Sequence, residues 1–419
     1  FFKCILLAFI SYQEKLLNYI IMNDKVYHKR ILSATLLISL ATCLFMSCTE
    51  RLEVSSVPIN YPKVINPPSL NVFIENSGSM DGYMCNGSEL KDAVYSYISK
   101  LNRNTDTTRL FFINSDIIPY KKELRGFIKD LTPQSFRKAG GNRANSDIGE
   151  MLKNVLESVS DTTVSIFVSD CILDLPQDAM DFLNIKKTDI LNCVSDKRKD
   201  FPNLSVKILK MQSKFNGIYY YSKGHGNPVR IDDKNRPYYI WILGTNNNIA
   251  FLNSKVPTSE IKYGFMNEIS FTPYVSVPFE VSSKGQGKAL NAVNGQYEML
   301  IKADFRPTLK SNTEINNISN YQTYSHDITV KEVREIKAES MYSHYIKVVI
   351  KNANIKEENI RFKTPDIAQW VIDTNDTSGC DINKNMNKTT GILSLIEGVA
   401  EGYKEETINT NFKFLLKRK

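Results

Sequence analysis

Strands that alternate with helices, followed by strands with few helices, predict an α/β domain with a mostly parallel central sheet and then a β-rich, sandwich-like domain. Three observations carry this. Short apolar runs such as "LNVFIE" (Leu70 to Glu75) and "VSIFVSD" (Val164 to Asp170) read as strands buried on both faces. "SELKDAVYSYISKLNR" sets Leu90, Val94, Tyr97, Ile98 and Leu101 at helical spacing behind a cap at Ser88. Beyond residue 250 the pattern changes to alternation, with Tyr345, Lys347 and Val349 on one side and Ile346, Val348 and Ile350 on the other.

The elements follow in order. "RLFFINSDI" gives a second strand, and "IPYKKEL" returns from it as a hairpin. "SDIGEMLKNVLESV" (Ser146 to Val159) is helical by the spacing of Ile148, Met151, Leu152 and Leu156, and "DAMDFLNIKKTDILNCVSDK" is helical again. "LSVKILKM" (Leu204 to Met211) and "PYYIWILG" (Pro237 to Gly244) complete the strands of an α/β domain placed at 66–250. In 251–419, "FTPYVSVPFEV", "GQYEMLIKADF", "YQTYSHDITVKEV", "HYIKVVIKNANI" and "NIRFKT" read as strands; "GILSLIEGVAEGYKEE" is a late helix before the strand "NFKFLLKR".

With 419 residues, 42% of them hydrophobic, the chain can build two cores and is not a disordered protein. Residues 1–47 hold five Lys/Arg and two Asp/Glu, so the remainder carries 48 basic against 43 acidic residues. A charge so modest and scattered gives no reason to expect nucleic acid as a partner.

From Met22, basic Lys25, Lys29 and Arg30 precede an apolar stretch from Ile31 to Met46 and then Ser47-Cys48. This is the layout of a secretory signal over 22–47, with an apolar core short for a spanning helix. A small residue before cysteine also resembles a bacterial lipoprotein box, which implies lipidation at Cys48 and a membrane-anchored protein of the cell envelope, facing the periplasm or the outside. A transmembrane anchor is the alternative reading. Residues 1–21 read as an upstream extension without a role. The proline-rich stretch after Cys48 reads as an extended tether, placed at 48–65. Cys85, Cys171, Cys193 and Cys380 contain no C-x-x-C pair, so a structural zinc site is not expected, and their pairing cannot be read.

In open α/β sheets, ligands bind where loops leave the carboxyl ends of strands. Three groups of oxygen donors stand at such places: Glu75, Ser77 and Ser79 in "ENSGSM"; Ser146 in "GGNRANSDIG"; and Asp170 at the end of "VSIFVSD". Carboxylates and hydroxyls without histidine or cysteine suit a hard cation, magnesium, manganese or calcium, better than zinc.

The chain resembles here the von Willebrand factor type A domain with its metal-ion-dependent adhesion site, over roughly residues 66 to 250. Ser77, Ser79 and Met80 match the D-x-S-x-S motif, with Glu75 in place of Asp. Ser146 stands in the position of the family's Thr, and Asp170 in that of its third-motif Asp. The resemblance implies capture of a protein partner, whose acidic side chain completes the coordination of a divalent cation. Asp81, Tyr83 and Asp147 are candidates for the rim or plain loop residues.

Enzyme motifs fail. "GQGKAL" lacks the first Gly and the Ser/Thr of a phosphate loop, and neither H-E-x-x-H nor G-x-S-x-G occurs. His225, His326 and His344 are scattered, and "GIYYYS" (Tyr219 to Tyr221) reads as a half-buried strand before it reads as a stacking platform. The expectation is thus a lipid-anchored binding protein rather than an enzyme. Two alternatives stand beside it: a metal-dependent hydrolase in which Asp170 and Glu75 hold the ion, and a metal-free scaffold.

Overall fold

The computed structural model describes Tyr12, Gln13, Lys15 and residues 51–56, 66–85, 87–144, 147–176, 179–221, 226–282, 289–293, 295–337, 340–352, 354, 357–404 and 408–418. The signal segment, Cys48 and Ser146 lie outside the described residues. The chain divides into Phe1–Arg51 and Leu52–Lys419, and all that follows concerns the second unit.

After β1 (Arg51–Ser56) the chain enters its α/β half with β2 (Ser69–Glu75), a 3-10 turn (Ser79–Met84), α1 (Glu89–Asn102) and the hairpin β3 (Thr108–Ile113) and β4 (Ile117–Tyr120). Then come α2 (Leu124–Lys129), α3 (Pro133–Ala139), α4 (Ile148–Glu157), β5 (Thr163–Ser169) and α5 (Ala179–Asp200). The long strands β6 (Leu204–Tyr219) and β7 (Val229–Thr245), α6 (Asn246–Lys255) and β8 (Phe265–Phe271) close this half. The seven strands lie in the order β4-β3-β2-β5-β7-β6-β8. Central Phe73 faces Phe111 on one neighbour and Phe167 on the other, so β2 is buried on both faces, as its continuous apolar run requires.

The expectation of a mostly parallel sheet is corrected. Within the seven-stranded sheet, among the described residues, only β2–β3 and β2–β5 pair in parallel; β3–β4, β5–β7, β6–β7 and β6–β8 are antiparallel. The stretch 220–228 is shorter than the dozen or so residues that a parallel crossover needs, so "PYYIWILG" comes back as the second arm of a hairpin with β6. That arm inserts between β5 and β6.

The second half contains β9 (Phe279–Ser282), β10 (Ala289–Val293), β11 (Gln296–Ala303), α7 (Asn312–Asn316), β12 (Tyr321–Gln322), β13 (Ile328–Glu335), β14 (His344–Ile350) and β15 (Glu357–Phe362). It ends with α8 (Gln369–Thr374), the short β16 (Asn375–Asp376) and β17 (Thr389–Thr390), α9 (Ile392–Gly402) and β18 (Thr410–Arg418). Its nine-stranded sheet runs β12-β15-β18-β1-β10-β11-β14-β13, with β9 on β11. Leu52, Met299, Ile346, Ile360 and Phe412 come from both ends of that order yet share one core, so the sheet folds over on itself.

Three parts of the chain depart from the boundaries read in the sequence, and the first is β8, which lies beyond residue 250 yet pairs with β6 in the seven-stranded sheet. The supposed tether contains β1, which pairs antiparallel with β18 from Leu52↔Arg418 to Ser56↔Phe414 and buries Leu52 and Val54 in the second core. Prolines lie after this stretch, not within it, so the ladder is not interrupted. Conversely, α8 and α9 pack on the first sheet: Val371, Ile392, Leu395, Ile396 and Val399 join a core with Phe73, Phe167 and Trp241. Glycines set the approach of α9 to α5, because a Cβ on Gly398 would lie 2.6 Å from the Lys187 carbonyl oxygen. Among the described residues no disulfide joins Cys85, Cys171, Cys193 and Cys380, and no helix is long and apolar enough to cross a membrane.

Candidate functional site

β2 delivers its oxygen-rich continuation to the edge where β2, β3 and β5 end, and buried amides hold it there. Asn114 Nδ2 donates to Asn76 Oδ1 and to the Gly140 carbonyl, both at 2.9 Å, and Asn76 Nδ2 donates to the Phe136 carbonyl at 3.3 Å. Gly141 has φ +73°, and a Cβ there would lie 2.0 Å from Asn114 Oδ1, so this amide cluster needs glycine.

Arg143 clamps the loop from the other side. Its Nε donates to the Asn76 carbonyl at 2.6 Å, and its Nη2 donates to the Ser77 carbonyl at 3.1 Å and to Asp81 Oδ1 at 2.5 Å. Burial raises the Asp81 pKa above the ordinary carboxylate range, and Arg143 opposes that rise. The 3-10 turn is fixed beneath the β6–β7 hairpin: Tyr83 donates to the Pro237 carbonyl at 2.6 Å, and its ring meets Phe215 edge-on at 5.0 Å. Tyr83 is therefore buried and does not line a rim.

The candidate ligands take distinct places. Ser77 and Ser79 hydroxyl oxygens are 2.9 Å apart. Glu75 is 1% exposed and its Oε2 accepts from Ser169 Oγ at 2.5 Å; Ser169 Oγ in turn accepts from the Cys171 amide at 2.8 Å. The longer acid thus reaches the neighbouring strand and ties down the turn that carries Asp170. Cys171 in that turn has φ 55°, an uncommon conformation for a residue with a Cβ.

Asp170 is 1% exposed; its Oδ1 accepts from the Ile172 amide at 3.3 Å, while Oδ2 has no hydrogen bond of ordinary geometry among the described residues. Burial raises its pKa, opposed by Ser79, by the Ile172 amide and by the charge of Arg236. Asp147 caps α4 through the Gly149 amide at 2.8 Å and pairs with Lys186 at 2.5 Å.

The donor set fits a hard cation in kind: two adjoining hydroxyls and one carboxylate oxygen without an ordinary hydrogen bond among the described residues. Among the described residues no three Asp, Glu, His or Cys side chains form a metal cluster, so hydroxyls would have to supply much of the coordination. Arg143, Asn114, Ser169 and Arg236 escaped the sequence reading. Ser169, next to Asp170, was the most accessible of these; Arg236 could be found only from the register of β7. Two open clefts lie elsewhere, one of about 630 Å³ along β3, β4 and the start of α2, the other of about 1030 Å³ lined by parts of β8, α7, α8 and His344.

No model of a known protein family matches the sequence, and no curated protein matches it.

Proposed function

We propose that this chain is a binding protein anchored in the bacterial cell envelope through a lipid on Cys48. In this reading Ser77, Ser79, Ser146 and Asp170 hold a divalent cation, magnesium, manganese or calcium, at the edge of the seven-stranded sheet. A bound cation would offer an open coordination position to an acidic side chain of a protein partner. Glu75 supports the site through Ser169 instead of serving as its first ligand, and Arg143 fixes the backbone between Asn76 and Asp81. The observation that carries the reading is the buried Oδ2 of Asp170, which has no hydrogen bond of ordinary geometry among the described residues, at the edge where the Ser77–Ser79 hydroxyl pair also stands.

The test is Mn²⁺ titration of the purified chain, followed by thermal unfolding. At a hundredfold excess over Kd the ion stabilises by about 2.7 kcal/mol, and Ser77→Ala or Asp170→Asn removes that gain. Equal melting curves with Mn²⁺ and with chelator would exclude the cation site. Turnover of generic phosphate or ester substrates, lost in Ser77→Ala, would instead establish the hydrolase reading.

A further inference from the structure

Arg236 is 1% exposed, and its Nε and Nη1 are buried without hydrogen-bond partners among the described residues. Its guanidinium lies over the Tyr219 ring at 4.7 Å, with the Phe215 ring at 5.8 Å. The register places it at the candidate site: Tyr239 of β7 faces Ser169 of β5, so Arg236 lies just beyond the strand end from which Asp170 follows. Two groups of opposite charge are therefore buried at one edge, each with a polar atom that lacks an ordinary hydrogen bond among the described residues.

A lone buried ion is strongly disfavoured, and the register brings these two buried groups of opposite charge to the same strand end, where each is placed to act as the other's counter-ion. Arginine does not release its proton, so this positive charge is permanent. The rings of Tyr219 and Phe215 and the β6–β7 ladder hold it in place.

We propose that Arg236 is a resident counter-cation that competes with a divalent ion for Asp170. The edge is then charge-balanced without metal, and metal alone binds weakly. A dication at Oδ2 is repelled by the fixed guanidinium, and this repulsion is poorly screened away from solvent. This inference rests on the assignment of Ser77, Ser79 and Asp170 to a cation site.

Calorimetric titration of Mn²⁺ at pH 8 into the wild-type chain, Arg236→Gln and Arg236→Lys tests it, with Ser77→Ala as background. Arg236→Gln binds at least about tenfold more tightly than wild type, equal to about 1.4 kcal/mol, and Arg236→Lys stays near wild type. Equal or weaker binding by Arg236→Gln overturns the proposal. Binding by Arg236→Gln alone supports the competition and removes the cation-dependent function from the wild-type chain. Absence of binding in all variants overturns both.

A metal-free measurement covers the case in which Arg236→Gln does not fold. In chelator, Asp170→Asn leaves Arg236 without its counter-charge and lowers the melting temperature by several degrees. An unchanged or higher melting temperature overturns the proposal.

Discussion

At the scale of single residues, Glu75 and Gly217 show how a side chain's role depends on its neighbour. Glu75 occupies the first position of an oxygen motif, yet its carboxylate accepts from Ser169 on the adjacent strand. One additional methylene is enough to span to that hydroxyl. Gly217 works by having no side chain: a Cβ there would stand 2.7 Å from the Cα of Gly82, where β6 crosses the 3-10 turn. Gly217→Ala is therefore expected to cost roughly 1–3 kcal/mol through overpacking, seen as a lower unfolding midpoint in denaturant. A midpoint equal to wild type would show that the turn and the hairpin are not in close contact.

Among the elements, periodicity identified most helices and strands, because it reports burial directly. The helix read from Ser146 to Val159 is α4, and the hairpin read after "RLFFINSDI" is β3–β4. Ser88 does stand at the cap of α1, but its hydroxyl meets Ser213, and Ser213 Oγ accepts from the Leu90 amide at 3.0 Å. The cap is thus supplied from a strand more than a hundred residues away, which local sequence cannot reveal. Pairing escaped for the same reason: neither the insertion of β7 beside β5 nor the pairing of β1 with β18 leaves a local trace. Leu52→Ala checks the latter, since Leu52 is fully buried in the second core. A loss of roughly 2–5 kcal/mol is expected; a freely extended tether would lose nothing measurable in a urea melt.

On the scale of the whole molecule, the two sheets exchange segments along the chain, β1 going to the second and α8 and α9 to the first. Both cores are therefore expected to respond together to acid. His344 is 2% exposed, edge-on to Phe305 at 5.5 Å, and burial lowers its pKa to about 4 against the opposing charge of Glu335. Between that value and the ordinary 6.5 the unfolded chain binds more protons than the folded one, so stability falls as pH falls through this window. The loss approaches roughly 3 kcal/mol near pH 4. His344→Gln should flatten this part of the profile, measured as melting temperature between pH 7 and 4. A variant that follows the wild-type profile would assign the acid sensitivity to other groups.

Apolar spacing and turn chemistry, written locally in the chain, determined that an oxygen-rich loop follows a buried strand and that Asp170 ends another. They also determined the change from α/β to β-rich segments, since period and burial are properties of neighbouring residues. Only the tertiary structure decided which strands pair, which hydroxyl Glu75 meets and which cation stands near Asp170. Those depend on contacts between distant segments, where loop geometry and burial select one register from many that the same local pattern would allow.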